Sequence, residues 1–330
     1  MRVVFMGTPA FAVPTLQHLV DSTCTVVGVV CQPDRPSGRG KKIQFGPVKT
    51  LAVAQNLPVV QPEKMKDPTF LETLRTWDPD VIVVAAYGRI LPQVILDLPP
   101  KGCLNVHGSL LPKYRGAAPI QWAVINGESE TGVTIMVMDA GMDTGAILEQ
   151  AVVPISPEDT AGEVASRMAE LGGGLLVSTL QQWMAGTIDA HAQNESEATL
   201  APILKKEDGL LDWHQSAICL ANRIRGLSPW PGGYTFVNGE RWGIWEVRVE
   251  ETEETGFPDI QPGSPQKPGT IVDISKQMIR VQTGKGILHL LEIQPANKKR
   301  MSVGNYLAGH RLEVGTLLSP PQVSQDASSG

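Results

Sequence analysis

Short apolar runs alternate with amphipathic stretches through the first 138 residues, and that alternation limits the available folds more than any other feature of the chain. The runs 2–6, 25–31, 81–86, 102–106 and 134–138 have strand length and are rich in Val and Ile, whereas 11–21, 47–55, 70–77, 90–96 and 118–126 carry helical patterning. Repeated strand and helix pairs bury both faces of a mostly parallel sheet. The N-terminal half is therefore predicted to be an α/β, Rossmann-like, doubly wound domain. Such sheets hold ligands outside the carboxyl ends of their strands, so the residues closing each strand are the first candidates for chemistry.

A strand at 147–153 follows, then helical sequence to Gly186 in which Gly172-Gly173-Gly174 is expected to separate two amphipathic segments. Mixed polar sequence then reads as a linker, and one helix at 217–226 precedes β-rich sequence. Asn238-Gly239 between apolar runs is a hairpin turn signal. Further strands are expected at 270–274, 278–282 and 287–293, and about five short strands in about a hundred residues suggest a small barrel of the OB type. The predicted organisation is a catalytic domain over 1–188, a linker over 189–208, an OB-like domain over 209–318 and a mobile tail over 319–330. The Ser/Pro/Gly-rich stretch 252–268 is expected to be a mobile insertion.

The strand ending near residue 107 closes on Asn105-Val106-His107, followed by Gly108-Ser109-Leu110-Leu111-Pro112. Residues i and i+2 of a strand share a face, so Asn105 and His107 can address one bound molecule. Asp143 lies in a Gly-flanked turn, Asp139-Ala140-Gly141-Met142-Asp143-Thr144-Gly145. An amide donor for an oxyanion, an imidazole that moves protons and a carboxylate that orients it are the parts of an acyl-transfer site. A single histidine at a strand end is more often structural, so the weight rests on the group of three. Gly108-Ser109-Leu110 lacks the Gly-x-Ser-x-Gly spacing of a nucleophile elbow. Direct transfer between two bound substrates is favoured over a covalent acyl-enzyme. Tyr87-Gly88 ends another predicted strand and would lie at the same edge of the sheet. The first strand-to-helix turn, Gly7-Thr8-Pro9, lacks G-x-G-x-x-G, and Pro9 removes an N–H that a phosphate would use, which disfavours a dinucleotide cofactor.

The formal net charge of −6 argues against a general nucleic-acid binder, so any basic surface must be local. One stands out: from Asp34 to Lys49 there are five basic residues, among them Arg35, Arg39, Lys41 and Lys42, against one acid, interleaved with Gly and Pro as a loop. Lys205-Lys206 and Lys298-Lys299-Arg300 are two further basic spots. A solvated loop is the usual fate of such a run, but three spots suit a long anionic partner addressed by both domains. Cys24, Cys31, Cys103 and Cys219 have neither disulfide nor zinc spacing, and the histidines lack metal spacing, so a reducing cytoplasmic setting and no metal are expected. No secretory leader and no membrane span are expected either.

Several of these motifs together carry a resemblance: Gly7-Thr8-Pro9-Ala10-Phe11, the loop from Gln32 through Lys42, Ala86-Tyr87-Gly88 with Ile90-Leu91-Pro92, Asn105 to Gln121 (NVHGSLLPKYRGAAPIQ), 131–136, Met138 to Gly145, and Ser228-Pro229-Trp230-Pro231. Over nearly its whole length the chain resembles the methionyl-tRNA formyltransferases, within the enzymes that use formyltetrahydrofolate. The resemblance implies transfer of a formyl group from 10-formyltetrahydrofolate, the co-substrate, to the α-amine of methionyl initiator tRNA. It assigns Asn105, His107 and Asp143 as the catalytic triad, and it implies a folate site lined by Ser109, Leu110, Leu111 and Pro112 with Tyr87 and Gly88. It implies that Arg35, Arg39, Lys41 and Lys42 insert into the acceptor stem, with Arg39 foremost, while Lys298, Lys299 and Arg300 hold the tRNA elsewhere; on charge alone Lys205 and Lys206 are expected to join them. A monomer is expected. The nearest alternative is a sugar-nucleotide N-formyltransferase, which shares the triad but not the basic loop and β-rich domain. A glycinamide ribonucleotide formyltransferase would lack the second domain. A non-catalytic RNA-binding module would leave Asn105, His107 and Asp143 unexplained.

Overall fold

A computed structural model of the protein describes residues 1–34, 36–37, 42–250 and 266–319. The insertion expected at 252–268 falls almost wholly outside the described residues, as do the tail from 320 onward and Arg35, Arg39 and Lys41. The chain divides into two compact units: Met1–Ile120 with Ser129–Ser156 and Glu163–Ile203, and Gln121–Glu128 with Pro157–Gly162 and Leu204–Gly330.

The first unit is built on a seven-stranded sheet of β1 (Arg2–Gly7), β2 (Thr25–Val30), β3 (Val59–Val60), β4 (Val81–Ala85), β5 (Cys103–His107), β6 (Glu130–Val137) and β7 (Ile147–Pro154). The spatial order is β7-β6-β5-β4-β1-β2-β3. Strands β1 to β5 run parallel, while β6 lies antiparallel to β5 and to β7. The order reverses about β1, which lies between β2 and β4, and sheets of this kind bind ligands at the carboxyl ends of the strands beside such a switch point. The parallel strands are apolar on both faces, as a sheet covered on both sides demands: all five residues of β4 are buried.

Helices α1 (Val13–Asp21), α2 (Pro47–Ala54) and α3 (Pro68–Trp77) match the predicted pattern, but α4 is only Gln93–Leu96. Pro92 caps it, and Ile90, expected inside that helix, precedes it at 87% exposure. The glycine triplet does not interrupt its helix, which runs unbroken over Ala161–Ala185. The reason is packing. A Cβ on Gly172 would lie 3.0 Å from a Val106 methyl of β5, and one on Gly173 would lie 2.5 Å from the His18 ring and 3.1 Å from the Pro14 carbonyl in α1. The glycines let this long helix lie close on the sheet and on α1. At Gly172 and Gly173 this close approach outweighs the roughly 1 kcal/mol of helix propensity that a glycine forgoes.

The second unit carries β8 (Gly233–Val237), β9 (Glu240–Val249), β10 (Ile271–Ile274), β11 (Ile279–Gln282), β12 (Ile287–Pro295) and β13 (Met301–Ser302), all antiparallel, in the order β8-β9-β12-β11-β10 with β13 on β12. Asn238 and Gly239 turn the first hairpin at φ 49° and 81°, the left-handed pair expected of Asn-Gly. Leu317 and Leu318 bridge Thr270 and Val237 at the two edges of the sheet and so close it into a barrel-like form. Its core is Trp242, Ile244, Val281, Leu288 and Leu290, packed with Leu220 and Ile224 of the helix Ala217–Gly226.

Candidate active site

Strand β5 places the amide and the imidazole. Val106 faces the long helix over Gly172, whereas Cys103 points to the opposite face, its Sγ 3.7 Å from the Ile95 carbonyl. Pleating puts Asn105 and His107 on the Cys103 side. His107, 5% exposed, closes the strand with Nε2 3.1 Å from the Tyr114 carbonyl. A carbonyl only accepts, so Nε2 carries the proton and Nδ1 of the neutral ring presents a lone pair. Nδ1 faces Asp143 Oδ1 at 3.7 Å, too long for a direct hydrogen bond and close enough to balance an imidazolium. The amide of Asn105, half-buried, has no hydrogen-bond partner among the described residues, which leaves both its donor hydrogens available.

Asp143 stands in the left-handed region at φ 56°, and its Oδ2 accepts a 2.8 Å hydrogen bond from the Gly116 N–H. The turn around it is shaped by Asp139, which accepts from the Gly141 N–H at 3.0 Å and the Thr144 hydroxyl at 2.8 Å. Gln193 then donates to the carbonyls of Asp143 and Gly145 at 2.8 and 2.7 Å. Nothing in the local pattern signals Gln193, since it lies fifty residues downstream of Asp143 in sequence that reads as a linker. That expectation needs correcting for its first part. Leu200–Ala201 pairs as a two-stranded ribbon with Arg115–Gly116, and His191 bridges Ile147. This stretch therefore belongs to the first unit, which extends to Ile203.

The residues expected around folate divide by environment. Ser109 is fully buried and spends its hydroxyl on the Lys113 carbonyl at 2.6 Å. Leu111 is also buried, its N–H on Thr134 Oγ1 and its carbonyl on Gln150. Leu110 and Pro112 are half-buried. Tyr87 is 1% exposed with its hydroxyl on Met65 Sδ, and burial pushes its pKa up to about 12. Gly88 sits at φ 72° with the Gln32 amide 2.8 Å from where a Cβ would be, a position that requires glycine. Ser109, Leu111 and Tyr87 are thus buried, whereas Gly88, Leu110 and Pro112 are the members with surface to offer.

Candidate nucleophiles are quiet. Cys31 follows β2 and Cys103 lies within β5, and burial pushes both thiols up to about 12, far from the thiolate that would attack. Among the described residues no group of three or more His, Cys, Asp or Glu side chains is placed to hold a metal.

Of the basic residues, Lys205, Lys206, Lys298, Lys299 and Arg300 are exposed on the second unit. Arg300 is engaged by Glu292 and lies 5.1 Å over the Trp245 ring. In the loop, Arg35, Arg39 and Lys41 lie outside the described residues, and only the backbone of Lys42 is described, in a two-residue strand paired with Pro36–Ser37. Lys49, the fifth basic residue there, is consumed internally by Asp34 and by Gln61 at 2.7 Å.

Residues 1–180 match the family described as formyl transferase, and residues 203–311 match the formyl transferase C-terminal domain. A methionyl-tRNA formyltransferase of Trichlorobacter lovleyi is 47% identical over 98% of this chain and 98% of its own length. Among solved structures, WlaRD, a sugar 3N-formyl transferase in the presence of dTDP and 5-N-formyl-THF, superposes with a TM-score of 0.63 at 17% identity, covering 91% of this chain and 99% of that one. HypX from Aquifex aeolicus superposes with the same TM-score at 16% identity over 95% of this chain, which spans about half the length of that protein (49%). Both structural likenesses are likenesses of fold. With the full-length sequence match and both domain matches in hand, the chain belongs to the methionyl-tRNA formyltransferase family of formyl transferases.

Proposed function

We propose that the protein transfers the formyl group of 10-formyltetrahydrofolate directly to the α-amine of methionyl initiator tRNA, and so prepares it for translation initiation. The observation that carries this reading is the grouping at the end of β5: an Asn105 amide unpartnered among the described residues, and a His107 ring whose Nδ1 faces Asp143 Oδ1 at 3.7 Å. The Asn105 amide is where a formyl oxygen would find a donor, and so fits the formyl-folate co-substrate. As the amine nitrogen bonds to the formyl carbon, Asn105 donates to the oxygen that gains negative charge. His107 Nδ1 takes the proton the amine nitrogen loses, and Asp143 balances the imidazolium. His107 returns that proton to the folate nitrogen as its bond to the formyl carbon breaks. Tyr114 keeps the imidazole from turning throughout.

The raised thiols of Cys31 and Cys103 and the engaged hydroxyl of Ser109 support a direct transfer. Gly88, Leu110 and Pro112 would hold the folate ring. Arg35, Arg39, Lys41 and Lys42, with Lys205, Lys206, Lys298, Lys299 and Arg300, would contact tRNA phosphates, Arg39 first among them. No helix among the described residues is long and apolar enough to cross a membrane. We place the enzyme in the cytoplasm as a monomer.

Incubation of the full chain with 10-formyltetrahydrofolate and methionyl initiator tRNA tests the proposal. Acid-stable formyl-methionine on the tRNA is the expected product. A protein that leaves that tRNA unformylated yet formylates a nucleotide-linked amino sugar would overturn it.

A further inference from the structure

We infer that Gln193 is a positioning residue for the transfer step, acting through Asp143, and that residues 191–201 belong to the catalytic machinery. The inference rests on the reading of Asp143 given above. Three hydrogen-bonded connections tie this stretch to the segments that flank the triad residues. His191 and Ile147 exchange two backbone hydrogen bonds of 2.8 Å. Thr199 Oγ1 accepts from the Tyr114 N–H at 2.8 Å, and it is the Tyr114 carbonyl that holds His107 Nε2. The Thr199 carbonyl accepts from the Arg115 N–H at 2.8 Å, and Arg115 precedes the Gly116 N–H that binds Asp143 Oδ2.

Gln193 is the centre of this arrangement. Its Nε2 donates to the carbonyls of Asp143 and Gly145, and its Oε1 accepts from Arg115 Nε at 3.0 Å and Nη2 at 2.8 Å. The orientation of the amide is chemically forced, because carbonyls only accept and a guanidinium only donates. All its donor and acceptor capacity is used. Arg115, 5% exposed, is itself held by Glu195 at 2.8 and 2.9 Å. Asp143 adopts a left-handed backbone that is unfavourable for a non-glycine residue. Gln193 grips the carbonyl of that residue and the one two positions on, so it fixes the backbone from which the carboxylate projects. A displacement of about 1 Å at a reacting group costs on the order of a hundredfold in rate. No polar side chain other than Gln or Asn offers two donors and two acceptors in this form, and Asn is one methylene too short to reach both sets.

Two substitutions separate the two halves of the amide. Gln193→Glu keeps the acceptors for Arg115 and removes the donors to the Asp143 turn, whereas Gln193→Met removes both. Single-turnover transfer from 10-formyltetrahydrofolate to methionyl initiator tRNA is measured for each, for Asp143→Asn and for the double variant Asp143→Asn with Gln193→Glu. Both Gln193 variants are expected to slow transfer about tenfold or more, with half-saturating concentrations of both substrates within about twofold of the parent. The double variant is expected to be no slower than Asp143→Asn. Amide hydrogen exchange in residues 139–146 of Gln193→Glu should accelerate about tenfold while the rest of the chain keeps its protection, which reads the same claim without activity. Loss in Gln193→Met alone, full multiplication of the losses in the double variant, or unchanged exchange in 139–146 would overturn the proposal. A wild-type rate in Asp143→Asn is a different failure, that of Asp143 itself.

Discussion

On the proposed mechanism, replacing His107 by Ala removes the group that moves the proton, and general acid–base catalysis of this kind is worth about 10²–10⁴ in rate. On the same mechanism, replacing Asn105 by Ala removes one oxyanion donor, worth about 10²–10³. Both losses are expected in kcat with the affinity for tRNA nearly intact, because they belong to the transition state. Equal weakening of tRNA binding, measured by filter retention, would contradict these roles. Asn105 and His107 were legible in the sequence because strand periodicity alone puts them on one face. Asp143 was legible as a carboxylate in a Gly-flanked turn. The carbonyl of Tyr114 and the amide of Gln193 were not, since a backbone acceptor has no sequence signature and Gln193 contacts a residue fifty positions away.

At the scale of elements, strand and helix patterning foretold the first unit closely because the parallel strands are buried on both faces and so contain little but apolar residues. It failed where close packing overrides local preference. The triplet Gly172-Gly173-Gly174 looks like a break and is instead the inside of a helix pressed onto its neighbours. Opposite effects of two neighbouring substitutions follow. Gly173→Ala introduces a Cβ 2.5 Å from His18 and 3.1 Å from the Pro14 carbonyl, which costs about 1–3 kcal/mol by overpacking and outweighs the gain in helix propensity. Gly174→Ala meets only His18 Cε1 at 3.9 Å and keeps a gain of up to about 1 kcal/mol. Thermal denaturation of the two variants should move the midpoint down and up respectively; a rise in Gly173→Ala would count against close helix packing as the reason for the triplet. The expected linker misled for a related reason: polar composition resembles a connection, although 191–201 is tied down by backbone pairing and by the Gln193 and Arg115 side chains.

For the whole molecule, the proposed division of labour is argued from charge. A protein of net charge −6 has to attract tRNA through local basic surfaces, and Lys298 and Lys299 are exposed lysines on the second unit. Replacing both by Ala should weaken tRNA binding at every salt concentration and lower the slope of log affinity against log salt by a little under one per lost phosphate contact. Transfer at saturating tRNA should not change. An unaltered slope would remove them from the interface. The central claim concerns chemistry within the first unit, that the formyl group passes from folate to amine without resting on the protein. Acid quenching of the full chain mixed with 10-formyltetrahydrofolate labelled in the formyl carbon tests it most directly, first without and then with methionyl initiator tRNA. The account predicts no label on the protein without tRNA, and label only in formyl-methionine after tRNA is added. A protein-bound formyl group that forms without tRNA and then chases into it would contradict the account.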